Sequence, residues 1–174
     1  MAIIRQYKLK IILGLMLCMM SITICAKDEF RIIDYRLGLN SGTINHIVFD
    51  KQGFAWLSTP DGIIRYDGVL FYPYTHQSGN DHSLYNNNVI KTLPATCGMW
   101  IGAGNALQYY NYHTGKFYIE QYIDSNGKVS KINQDRIISL FRLGDKIFAT
   151  DNKGYMYGKQ EDEQFFSLLQ KGVY

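Results

Sequence analysis

Asp61 and Asp67 are two carboxylates six residues apart, and a carboxylate pair is the least equipment needed for acid and base work on a glycosidic bond. Each stands directly before a glycine, as Asp61-Gly62 and Asp67-Gly68, and Asp-Gly is equally the chemistry of a tight turn. The turn role accounts for both, so no catalytic residue is assigned. The loop "THQSGNDHS" holds His76, Asp81 and His82, side-chain types that ligate zinc. Its Gly and Asn read as a flexible link between ordered segments, and no metal ligand is assigned. Tyr109, Tyr110 and Tyr112, with Phe117 and Tyr118 after them, are a different resource. Strand alternation sends some of these rings outward, and an exposed ring can stack on a sugar face. Tyr109, Tyr110 and Tyr112 are therefore the candidate ligand-binding residues. His46 and His113 stand alone, with no activated serine motif to complete a triad. Gly102-Ala103-Gly104 lacks the following helix and the Lys of a phosphate loop, so no cofactor is expected.

The start of the chain looks like an address. Arg5, Lys8 and Lys10 precede an uncharged run from Ile11 to Ile24, and Ala26 stands before the charged Lys27-Asp28-Glu29. Basic start, short apolar stretch and small residue at the cut are the layout of a secretory signal, which sets a signal helix at residues 1–26 and export to the periplasm. Left uncut, the same segment would tether the protein to a membrane. The chain of 174 residues carries 18 Lys plus Arg against 15 Asp plus Glu, and the whole excess lies in that segment. Residues 27–174 are balanced, which leaves no basic stripe for nucleic acid. Of three cysteines, Cys18 and Cys25 fall in the signal and Cys97 stands alone, so no disulfide frame holds the rest.

The elements that must position these residues repeat. Ile44 to Phe49 alternates as a strand and is closed by Asp50-Lys51-Gln52-Gly53. Trp56 to Thr59 follows, then Asp61-Gly62, then Ile63 to Tyr66, then Asp67-Gly68 into Leu70-Phe71-Tyr72. That is a meander of four short antiparallel strands. Trp100 stands 44 residues after Trp56, with Asn88 to Leu93 before it and Leu107 to Tyr110 and Phe117 to Ile119 after it. A fainter copy places Phe148 a further 48 residues on, between Ile137 to Phe141 and Tyr155 to Tyr157. Four strands per 44 to 48 residues is the signature of β-propeller blades, and the recurring aromatic is then a packing anchor between blades.

Ile44, Ile47, Asp50, Gly53, Trp56, Thr59, Gly62, Ile63, Tyr66 and Asp67 fall in one register. It resembles the two-component regulator propeller repeats, whose usual form runs V-x-x-I-x-x-D-x-x-G-x-x-W-I-G-T-x-x-G-L-x-x-Y-D. The likeness covers residues 35 to 120 well and 135 to 158 faintly. It implies an outer, ligand-sensing region at the N-terminus of a hybrid sensor histidine kinase, with polysaccharide breakdown products as the common ligands. The kinase machinery would lie in domains that this sequence does not contain.

The expectation is thus an all-β chain: an incomplete β-propeller of about three four-stranded antiparallel blades at about residues 40–80, 85–125 and 133–170, after the signal helix. Trp56, Trp100, Phe148, Gly62 and Asp67 are its structural anchors, a saccharide its ligand, and further blades or receptor domains its partners. The alternative is a secreted carbohydrate-binding or carbohydrate-active propeller.

Overall fold

Short runs of alternating residues, each ended by a Gly-containing turn, set strand after strand along this chain. The computed structural model describes Tyr7, Lys10, Gly38, Leu39, residues 41–160 and the backbone of Phe165–Leu169. The chain divides into two units, Met1–Ile32 and Ile33–Tyr174. In the first, Tyr7 and Lys10 are helical, and the rest of the signal read at residues 1–26 lies outside the described residues.

Among the described residues of the second unit, every helix or strand assigned is a strand. Strands β1 (His46–Phe49), β2 (Ala55–Thr59), β3 (Gly62–Tyr66) and β4 (Phe71–Tyr74) pair in chain order as antiparallel sheet I. Strands β5 (Val89–Pro94), β6 (Gly98–Ala103), β7 (Ala106–Asn111) and β8 (Lys116–Ile119) repeat the pattern as sheet II. Sheet III departs from the expected four strands. Its β11 (Ile137–Leu143), β12 (Lys146–Asp151), β13 (Met156–Gln160) and β14 (Phe165–Leu169) form the meander, and a hairpin of β9 (Gln121–Ile123) and β10 (Val129–Lys131) joins its outer edge. The result has six strands, with β14 parallel to β9 through Phe165 opposite Tyr122. The cause is an edge: an unpaired strand exposes a row of amides and carbonyls, and the connection between sheets II and III folds back to pair with it.

The three sheets follow one another face to face, with β5 against β1 and β2 on one side and β11 on the other. Two clusters fill the spaces between them. Trp56, Ile63, Met99, Ile101 and Tyr110 belong to the first; Trp100, Leu107, Ile137, Ile147 and Ala149 belong to the second. Strand β6 supplies both, because Met99 and Ile101 alternate with Trp100, and all six of its residues are buried. This all-β, propeller-like succession explains the aromatic repeat. Trp56 is fully buried toward sheet II, and Trp100 is 2% exposed toward sheet III. Phe148 alternates with Ile147 and Ala149, so it lies on the far face of sheet III, stacked on Phe141 at 5.4 Å.

Trp56 is held on all sides. It stacks on Tyr74 at 5.8 Å and on Tyr112 at 5.9 Å, with Tyr110 tilted at 5.5 Å. Its indole Nε1 donates to Asp50 Oδ2 at 2.8 Å. The other carboxylate oxygen accepts from the amides of Gln52 at 2.9 Å and Phe54 at 3.0 Å. A buried carboxylate costs heavily unless it is hydrogen-bonded, and these donors meet that need. At Gly62, φ is +132°, and an added Cβ would run into the Tyr74 carbonyl oxygen, so only glycine fits this turn.

Between sheets II and III lies a buried ion pair. Lys159 Nζ is 3.7 Å from Glu120 Oε2 and sits 4.7 Å above the Trp100 ring. Burial pushes the Glu120 carboxyl above its ordinary 4.5, and the facing Lys159 only partly offsets that.

Two outcomes are expected. Trp56→Ala should lower unfolding free energy by about 3–5 kcal/mol and Asp50→Ala by about 1–3 kcal/mol, read from urea titrations. The second prediction concerns pH. The fold binds the Glu120 proton more tightly than the unfolded chain does, so its contribution is complete below pH 4.5 and is lost as pH climbs through the raised value. Urea midpoints taken across that range should decline less in Glu120→Gln than in the parent protein.

Candidate functional site

Residues 75–88 carry the chain from the outer strand of sheet I to the inner strand of sheet II. Leu84 anchors this polar stretch in the core between sheets I and II, and hydrogen bonds hold the rest. Ser83 Oγ accepts from the Gln77 amide at 3.0 Å, the Asn80 amide donates to the Gln77 carbonyl at 3.1 Å, and the Ser83 amide donates to the Asn80 carbonyl at 3.1 Å. The His76 amide donates to Asn87 Oδ1 at 2.7 Å. Gln108, on β7 and 1% exposed, fastens the loop to sheet II. Its Oε1 accepts from the Tyr85 amide at 2.7 Å, and its Nε2 donates to the Ser83 carbonyl at 3.2 Å.

A cleft of about 710 Å³ opens beside this loop. The loop contributes His76, Asp81, His82 and Tyr85, strand β8 contributes Phe117 and Tyr118, and the β9–β10 hairpin contributes Lys131. The volume falls within the roughly 300–1,000 Å³ of small-molecule sites. A second hollow of about 270 Å³, beside Tyr122, Asp135 and Lys153, falls below it.

Of the residues singled out in the sequence, His76, Asp81, His82, Phe117 and Tyr118 line this cleft, whereas Tyr109, Tyr110, Tyr112, Asp61 and Asp67 do not. Tyr110 is buried between sheets I and II, and burial raises its hydroxyl pKa well above the ordinary value. Tyr112 is half-buried against Trp56, its pKa raised by burial and then by Asp50. Tyr109 stands edge-on to Trp100 at 4.5 Å. The tyrosines that line the cleft are instead Tyr85 and Tyr118, each 38% exposed. Asp61 and Asp67 bracket the ends of β3, about 20 Å apart at strand rise, whereas glycosidase carboxylates stand about 5–9.5 Å apart. Asp67 is occupied: Oδ1 accepts from the amides of Val69 and Leu70, and Oδ2 from the Tyr72 hydroxyl at 3.1 Å. Those amides hold its carboxyl below the usual range. Among the described residues no three His, Cys, Asp or Glu side chains gather around a metal position.

Gln108 was visible in the sequence as an amide where alternation calls for an apolar residue between Ala106 and Tyr110. Tyr118 was visible as the outward ring of an edge strand. Lys131 carried no signal, because the hairpin that brings it here is set by pairing at long range.

The fold is propeller-like and all-β, and comparison with known proteins adds to that. No family model and no curated protein matches the chain. Solved structures do. One is the extracellular domain of a protein named as a hybrid two component system of B. thetaiotaomicron: the TM-score is 0.65 at 22% identity, over 78% of this chain and 19% of that one. Another is the extracellular domain of a protein named as a one component system of the same organism, with a TM-score of 0.62 at 15% identity, over 83% of this chain and 21% of that one. The chain thus spans about a fifth of those neighbours, and what it shares with them is the fold. Among the described residues no helix is long and apolar enough to cross a membrane.

Gln108→Leu should leave the Tyr85 amide and the Ser83 carbonyl unpaired, at a cost of about 1–3 kcal/mol. Hydrogen exchange at the Tyr85 amide should speed up while exchange in β2 and β3 keeps its rate.

Proposed function

We propose that the chain is the exported propeller segment of a two-component signalling receptor, detecting a saccharide or a related ligand in the periplasm. It works by binding and not by catalysis. In this reading residues 1–26 are the signal, and the three sheets are the first blades of a ring completed by blades and receptor domains elsewhere in the receptor. The observation that carries it is the handing-on of aromatics. Trp56 packs toward sheet II and Trp100 toward sheet III, while Phe148, at the matching place, lies on the far face of sheet III beside Phe141 and the 69%-exposed Leu143. A further sheet on that face would bury them as the first two are buried. The fold shared with extracellular domains of bacterial signalling proteins supports the same reading. A ligand then signals only by binding one packing arrangement more tightly than another.

Reading the gene beyond the Tyr174 codon in all three frames tests this. Further aromatic-centred four-strand modules, a membrane helix and a kinase are expected, and their absence would sink the receptor reading. Hydrolysis of an oligosaccharide by the purified protein, abolished by Asp61→Asn with folding intact, would overturn it from the other side.

A further inference from the structure

The cleft beside the 75–88 loop has a chemical bias written into its two imidazoles. His76 Nδ1 is 2.9 Å from the Leu84 carbonyl oxygen, and His82 Nδ1 is 3.4 Å from the Phe117 carbonyl oxygen. A carbonyl only accepts, so in each ring the nitrogen facing it must carry the proton. An imidazole with one ring proton is then left with a bare Nε2, which is an acceptor. Asp81 adds carboxylate oxygens. These acceptors, beside the donors of Asn80, Asn86 and Lys131, favour a ligand whose groups both donate and accept hydrogen bonds, as hydroxyls do. The wall's formal charges are one Asp81 and one Lys131, so it carries no net charge to favour an ion of either sign. The aromatic part is equally defined. Tyr118 meets His82 edge to face at 5.1 Å and 63°, which fixes the orientation of a 38%-exposed ring.

Hydroxyl groups, neutrality and an apolar face wide enough for a tyrosine ring occur together in sugars. We propose that this cleft binds a neutral saccharide of one or two rings, with hydroxyls donating to His76 Nε2, His82 Nε2 and Asp81 and one sugar face resting on Tyr118. The inference rests on the reading of the chain as a binding segment and says where and what it binds. The loop is already ordered by Ser83 and Gln108, so little freedom remains to be lost when a ligand enters.

The test is calorimetric titration of the protein with four neutral disaccharides (maltose, cellobiose, lactose and xylobiose) and with the anionic digalacturonate. Saturable one-site binding of at least one neutral sugar is expected, tighter than digalacturonate. Tyr118→Ala and His82→Phe should each weaken it about tenfold. Because His82→Phe loses a loop contact, nitrogen-15 NMR of the unmodified protein supplies a second reading. Both histidines should be protonated at Nδ1, and their Nε2 signals should move on adding the sugar. No binding of any neutral disaccharide, preference for digalacturonate, binding indifferent to Tyr118→Ala, or Nε2–H tautomers would each overturn the proposal. The outcome is separable from the receptor reading. A gene without downstream modules leaves a bound sugar standing, and a gene with them leaves a vacant cleft refuted.

Discussion

A sheet with two apolar faces cannot stand in water, and that constraint organises this protein. Strand β6 is buried along its whole length, with Trp100 on one face and Met99 and Ile101 on the other. Burying a side chain of this kind is worth about 1.5–3 kcal/mol, so sheet II gains only when sheets I and III are both in place. The stack is therefore cooperative between neighbours, as repeat architectures are. Two buried carboxylates brace the stack. Asp50 ties its own turn to the Trp56 indole six residues on, and Asp151 ties its turn to the Tyr157 hydroxyl at 3.0 Å, also six residues on.

The same constraint decides what the sequence could disclose. Period-two alternation and Gly-bearing turns located eleven of the strands, because short antiparallel meanders are local. Strands β9 and β10 match no expected strand, and β14 was expected only as the unplaced fourth strand of the blade at 133–170. The first two have three residues each, too few to show alternation, although Asp124-Ser125-Asn126-Gly127 repeats the Asp50-to-Gly53 turn and its bonds, with Asp124 Oδ1 accepting from Asn126 at 2.8 Å and Lys128 at 2.9 Å. The pairing of β9 with β14 joins segments some forty residues apart, which no local pattern records.

The tyrosine run shows where alternation misleads. Reading Tyr109 and Tyr110 as one ring in and one ring out assumes a sheet with a wet face. In a stack of sheets, the way out of one core is the way into the next, and the two rings serve the second and first clusters respectively. Exposed aromatics belong to edges and loops, which is where Tyr118 and Tyr85 stand. A site on such a fold is therefore sought where stacking stops.

The cleft lies at such a place, and its wall is contributed by two different sheets. Tyr118 and Phe117 belong to sheet II, whereas Lys131 belongs to a hairpin paired with the edge of sheet III. Between those sheets the packing is tight but not wholly apolar, since it contains the Glu120–Lys159 pair, whose carboxylate is held there against its preference for water. Replacing an ion pair of that kind by apolar side chains often costs nothing in stability, so the pair itself adds little to the seal between sheets II and III. A molecule touching Tyr118 and Lys131 together bridges the same two sheets from outside. Its binding energy is realised in full only when they keep their present spacing, and that difference is the one quantity by which occupancy of a cleft can bias the packing of a stack.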